Sequence, residues 1–246
     1  MIARITDGAR EFKVDLSDPL DISIPLVAGE NRLSAWYVPP ITMTPVRAEG
    51  FVGSVKAGGA VNFRDIAFNP HGHGTHTECV GHISKEDLSV NQTLKEFHML
   101  CQVISIKPND VDGDLVVTAS QIPQGLHHKA LCIRTMPNTD NKTTRQYSDT
   151  NPPYMAPEAM KSIVSQGVEH LLIDTPSVDR EEDKGALASH HLFWNYPQEI
   201  DRTKTITELI YIPSEIEDGE YLMELQFAPF ENDASPSRPV LYRLID

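Results

Sequence analysis

Pro157-Glu158-Ala159-Met160, with Ile163 and Val164 behind it, leads through Gly167 into Val168-Glu169-His170-Leu171-Leu172-Ile173 and then Asp174-Thr175-Pro176-Ser177-Val178-Asp179. Proline suits the first turn of a helix, where its missing N–H is not needed, and glycine is a common stop at the far end. The segment therefore predicts a helix that feeds into a short apolar strand, the helix-to-strand half of an α/β unit. The loop after such a strand is where binding and catalytic groups tend to collect.

Working outward, runs rich in β-branched residues predict strands at 22–26, 52–55, 102–106, 115–117 and 131–134. Beyond the central unit, residues 205–212 and 221–227 predict two strands joined by the turn Glu217-Asp218-Gly219, and 240–245 predicts a last one. The stretch 138–151, with its Thr, Asn, Asp and Lys, reads as a long exposed loop. No repeat or compositional break divides the 246 residues, of which 40% are hydrophobic, so one domain spanning 1–246 is expected.

Thirty-five acidic against 21 basic residues leave a formal charge of -14, with no Lys/Arg-rich run. Such a chain repels a phosphate backbone, which excludes nucleic acid from the expected partners. No apolar stretch approaches the ~20 residues of a membrane span, so a soluble, cytoplasmic protein without a membrane partner is expected. The three cysteines, Cys79, Cys101 and Cys132, are too few and too irregularly spaced for a disulfide framework or a zinc ribbon, and read as packed thiols.

Chemistry concentrates in His71-Gly72-His73-Gly74-Thr75-His76-Thr77-Glu78-Cys79-Val80-Gly81-His82, which holds four of the ten histidines. Imidazole and carboxylate are the preferred ligands of zinc and its first-row neighbours. On a strand, His76, Glu78 and His82 share one face; on a helix, Glu78 and His82 lie one turn apart, so either geometry pairs acid with imidazole. His71 and His73 have the other parity and reach that face only through a glycine-permitted irregularity. Thr75 is a candidate to orient a ligand. Ligands from elsewhere are sought at His190, beside Ser189 and His191, and at Glu208, whereas His127 and His128 read as solvated. Trp36, Tyr37, Phe68, Phe193, Trp194 and Tyr196 are aromatic candidates for a pocket wall, a composition more often found in a core.

The chain resembles the cyclase family, whose members include bacterial kynurenine formamidases and isatin hydrolases and whose signature is HxGTHxDxPxH. Gly74-Thr75-His76 and His82 match it, while Glu78 stands for the aspartate, Val80 for the proline and Gly72 for the first histidine. Asp15-Leu16-Ser17, Leu131-Cys132-Ile133-Arg134-Thr135, the helix and strand quoted above, Ser189-His190, Thr207-Glu208-Leu209 and Pro236-Ser237-Arg238 extend the likeness along nearly the whole chain.

The resemblance implies an α/β fold, a swivelling β/β/α domain with a mixed curled sheet packed against helices, assembled as a homodimer or homotetramer. It implies metal ligation by His76, Glu78, His190, Glu208 and either His71 or His73. It further implies zinc or manganese as cofactor and His82, with Glu208, as the acid–base machinery. The expected activity is hydrolysis of an amide, formamide or cyclic amide bond in a small molecule. The alternatives are a metal-assisted lyase or cyclase, a metal-poor binding protein that kept the fold, and, last, a cysteine hydrolase using Cys79.

Overall fold

The computed structural model describes residues 1–8, 10–30 and 32–245. The helix Pro157–Ser165 buries Ala159, Met160 and Ile163, one turn apart on a single stripe, and is followed by the strand His170–Ile173, buried throughout. The sequence reading of this unit is reproduced.

That strand sits inside a ten-stranded mixed sheet. Its centre is parallel: His98–Ile106, Ala130–Thr135, His170–Ile173 and Thr205–Glu208 run side by side in one direction. Antiparallel strands Gly219–Phe227 and Ala234–Ile245 extend it on one side, and the short His76–Glu78 on the other. His76–Glu78 also pairs with Ala234–Ile245, which brings the sheet round on itself. The N-terminal hairpin Ile2–Asp7 and Arg10–Asp15 continues from the outer part of Ala234–Ile245.

Alternation along the central strands divides the core in two. Leu131, Ile133, Leu171 and Ile173 pack with Met160, Ile163, Phe193 and Trp194 of the helices. Ala130, Cys132 and Leu172 face Cys101, Met223, Leu225 and Leu241 on the other side. Both faces are covered, as a sheet with a parallel centre requires. Each fully buried Leu or Ile contributes roughly 1.5–3 kcal/mol.

Some expectations are corrected. Residues 22–26 form no strand, although Ile22 and Ile24 are buried in alternation. Their backbone groups bind irregularly, the Ile22 N–H to the Pro239 carbonyl and the Ile24 N–H to the Thr75 hydroxyl, and Pro25 has no N–H to give a ladder. Val52 ends a two-residue strand, and Val55 opens a 3-10 turn. The strand at 205–212 stops at Glu208, because Leu209 adopts a left-handed conformation (φ 55°). It pairs with His170–Ile173 rather than forming a hairpin with Gly219–Phe227. The stretch 138–151 is not simply exposed: Lys142 and Tyr147 are buried, and the Lys142 ammonium lies 2.7 Å from the Asp174 carboxylate.

Candidate metal centre

The closing strand of the sheet carries the first two groups. His76 stands directly opposite Glu208 in the antiparallel pairing, and Glu78 lies two residues on, so all three project from one face. His76 and Glu78 are fully buried and Glu208 is 3% exposed. His76 Nε2 approaches Glu208 Oε2 to 3.5 Å.

His190 enters from the short helix Ala188–Phe193. Asp179, last residue of the opening motif, accepts the backbone N–H groups of Ser189 (2.7 Å) and His190 (3.1 Å), which the first turn of a helix leaves unpaired. The same carboxylate lies 2.6 Å from His190 Nδ1 and so leaves Nε2 to face Glu78 Oε1 at 3.2 Å. The His190 and Trp194 rings are 5.5 Å apart between centroids, which places that aromatic beside the site although its side chain belongs to the core.

His71 enters from a single helical turn, Pro70–His73, capped by the Asn69 side chain. Its Nδ1 is 3.1 Å from Glu78 Oε2 and its Nε2 is 2.9 Å from Asp233 Oδ2. Gly72 makes this entry possible. A Cβ there would lie 2.7 Å from Val38 Cγ2 and 2.9 Å from the Ala35 carbonyl oxygen, and no side chain fits. The turn delivers the imidazole one position earlier than the family pattern. His73 goes elsewhere: Nδ1 accepts the Asn69 N–H at 2.8 Å and Nε2 donates to the Pro39 carbonyl at 2.9 Å.

His82 closes a 3-10 turn, Val80–His82, after the strand. Its Nδ1 is 3.4 Å from Asp233 Oδ2 and 3.8 Å from Glu78 Oε2, and 31% of its side chain is exposed. The site thus has a floor of His76, Glu78, Glu208 and His190 and a rim of His71, His82 and Asp233. Asp233 gives no signal in the sequence; it reaches the rim because Ala234 pairs with Glu78 across the seam of the sheet.

Two buried atoms show how well the floor suits a cation. His76 Nδ1 donates to the Gly74 carbonyl at 3.0 Å, which leaves an unprotonated Nε2, and that nitrogen has no hydrogen-bond partner. Glu78 Oε2 makes no hydrogen bond of good angle either, and is met only by the ion-pair approaches of His71 Nδ1 at 3.1 Å and His82 Nδ1 at 3.8 Å. The His76 Nε2 lone pair faces Glu208 Oε2 at 3.5 Å, and two acceptors so placed inside a protein are costly unless a cation lies between them. His71, His76 and Glu78 each offer an atom within 4.8 Å of the others, as do Glu78, His82 and His190. The donor set is the one a divalent first-row ion takes.

The electrostatics agree. Burial opposes a charge on His190, yet Asp179 and Glu78 together raise its pKa to about 10. Burial likewise opposes charge on His71, but Asp233 and Glu78 raise it to about 10. Burial pushes Glu78 up, whereas the facing His82, His190 and His71 hold it well below the usual carboxylate range. The carboxylates demand compensating positive charge.

Three other sequence candidates are engaged in structure. The Thr75 hydroxyl accepts the Ile24 N–H and donates to the Leu209 carbonyl, so it fastens backbone rather than orienting a ligand. Cys79 is buried with its thiol on the Leu88 carbonyl, and burial raises its pKa, the reverse of what a nucleophile needs. Tyr37 is largely exposed and bonded to Asp149.

Residues 14–180 match the family profile described as "Putative cyclase". The chain belongs to the cyclase family. Among its relatives in that family, the kynurenine formamidase of Bordetella pertussis is 25% identical over 234 residues, covering 94% of this chain and 97% of the relative. That of Bordetella avium is 27% identical over 239 residues, with the same coverage. The cyclase-family fold recurs in isatin hydrolase A from Labrenzia aggregata, with a TM-score of 0.65, 15% identity and coverage of 92% and 93% of the two chains. It recurs also in a structure described as a potential metal-dependent hydrolase with cyclase activity, with a TM-score of 0.65, 14% identity and coverage of 92% and 98%. The mixed curled sheet with its few helices is the family fold, and the chain is a hydrolase of this family.

Proposed function

We propose that this chain hydrolyses a C–N bond of a small formamide, N-acyl or cyclic amide substrate, with a divalent ion held by His76, Glu78, His190, Glu208 and His71. One observation carries the reading: His76 Nε2, buried with no hydrogen-bond donor, faces Glu208 Oε2 at 3.5 Å on the floor that Glu78 and His190 share. The named activities of the relatives, a formamidase and an isatin hydrolase, point to the same bond class.

Zinc or manganese held by His71, His76, Glu78, His190 and Glu208 would supply Lewis-acid polarisation of the substrate carbonyl and make water a stronger acid. The chain's own part is positional and protolytic. Asp179 fixes His190 through Nδ1, and the Gly74 carbonyl fixes His76 in the same way, so each ring presents Nε2. Val178 N–H donates to Glu208 Oε1 at 3.1 Å and holds that carboxylate towards the floor. His82, on the rim, directs Nδ1 to Asp233 and keeps Nε2 as its basic nitrogen, the atom to take a proton from water and return it to the leaving nitrogen. His73 takes no part in this ligand set.

A subunit contact accompanies the reading. The strands Thr42–Pro45 and Arg64–Ala67 pair into an arm, and Phe63, Ile66, Val55 and Val61 on and beside it are each 50% or more exposed. Such apolar exposure suits a homodimer or homotetramer, and light scattering measures it directly. Among the described residues no helix is long and apolar enough to cross a membrane.

The deciding experiment combines elemental analysis with product assay on wild type and His76→Ala, offering an N-formyl arylamine and isatin as substrates. One or two ions per chain and hydrolysis of either substrate, both lost in His76→Ala, support the proposal. No bound metal after incubation with zinc and manganese overturns it.

A further inference from the structure

A second convergence of ligand atoms lies away from the centre described above. His127 and His128 precede the strand Ala130–Thr135, and Glu220 lies near the start of Gly219–Phe227, with His98–Ile106 between those two strands. His128 Nε2 is 2.9 Å and His127 Nε2 3.2 Å from the same oxygen, Glu220 Oε1. The two rings are 4.1 Å apart between centroids. Arg10 spans the carboxylate, with Nη2 donating to Oε2 at 2.6 Å and Nη1 to Oε1 at 3.4 Å. The sequence reading of both histidines as solvated fails for His128, which is 6% exposed.

The proton inventory of this cluster is informative. His127 Nδ1 lies 3.0 Å from the Gly125 carbonyl oxygen, which only accepts, so that nitrogen carries a hydrogen. The neutral ring then presents a lone pair at Nε2 to a carboxylate oxygen, an arrangement that needs a cation between them. A second proton on the ring meets the need, and so does a metal ion. Ligand atoms at 2.0–2.2 Å from a tetrahedral ion stand roughly 3.3–3.5 Å apart, so the observed 2.9 and 3.2 Å need to open by only a few tenths of an ångström. Arg10 holds the carboxylate mainly through Oε2, with a longer contact to Oε1, and the Gly125 carbonyl sets the His127 tautomer, the two outer supports that ligands of a metal usually have.

We propose that His127, His128 and Glu220 form a peripheral site for a divalent cation, with zinc the best match to two imidazoles and one carboxylate. The two imidazoles line a cleft of about 550 Å³ together with Asp7, Glu96 and His98. An ion there fastens the loop before Ala130 to the strand beginning at Gly219 and, through Arg10, to the N-terminal hairpin. The site acts on stability rather than on the reaction.

Equilibrium dialysis against zinc, with metal counted per chain, tests this on the protein isolated with its own metal content. Wild type is expected to hold one zinc more than His128→Gln or Glu220→Gln, or to bind it at least tenfold more tightly. Zinc raises the melting temperature of wild type but not of those variants. His76→Ala, altered only at the first centre, keeps the extra ion, which separates this site from the hydrolytic reading. His127→Gln changes a side chain that is 60% exposed and is expected to keep the wild-type melting temperature without added zinc, yet to weaken the extra ion tenfold. Equal zinc stoichiometry and affinity in wild type and His127→Gln overturns the proposal.

Discussion

Asp179 Oδ2 lies 2.6 Å from His190 Nδ1 and accepts the backbone N–H of the same residue at 3.1 Å, so one carboxylate fixes both the ring and the helical turn that carries it. Replacing Asp179 by Asn keeps the volume but removes the charge that sets the ring's proton. Metal affinity, measured by chelator competition, is expected to fall about 10–100-fold. Unchanged affinity would show that His190 is oriented without it.

In the proposed reaction His82, whose Nδ1 lies 3.4 Å from Asp233 Oδ2 on the rim, moves the proton. His82→Asn is expected to lower kcat by about 10²–10⁴-fold with metal content intact. Asp233→Asn is expected to give a smaller loss. If His82→Asn instead strips the metal, His82 is a ligand and its assigned role is wrong.

Gly72 occupies a position with no room for a side chain. The Val38 methyl group can shift, but the Ala35 carbonyl is backbone, so Gly72→Ala is expected to destabilise the fold by about 1–3 kcal/mol, read from urea denaturation. Gly72→His, which restores the family's first histidine in sequence, is expected to be worse still. A Gly72→His protein as stable as wild type and with full metal content would contradict the account of how His71 enters.

His170 is 5% exposed, with Nδ1 on the Thr205 hydroxyl. Burial, and then Lys129, lower its pKa to about 4, with Glu96 opposing. Between the ordinary value near 6.5 and about 4, the unfolded chain binds the proton and the folded one does not. Stability present above pH 6.5 is therefore lost as pH falls through this window, by roughly 3 kcal/mol at most. His170→Gln is expected to flatten the slope of unfolding free energy between pH 6.5 and 4. An identical slope in the variant would assign the acid sensitivity to other groups.

Much of the parallel centre was legible because its signals are local. Pro157 and Gly167 mark the helix, and the apolar run 168–173 marks the strand, whatever surrounds them. The strand expected at 205–212 failed at Leu209, whose left-handed backbone is set by its N–H binding the Thr175 carbonyl, a contact between distant segments. The stretch 138–151 was misjudged for the same kind of reason: Lys142 is polar by type but is buried on Asp174.

The sequence by itself determined the family, the helix-to-strand unit and the clustering of His76, Glu78 and His82, since each depends on residues close together in the chain. It left His71 and His73 equivalent. Only the tertiary structure chose between them, because the choice depends on where Gly72 meets Val38 and Ala35. It alone brought in Asp233, through the pairing of Ala234 with Glu78 that closes the sheet. Side-chain type and spacing are properties of the chain, but convergence on one point depends on register between strands far apart in sequence, and packing sets that register.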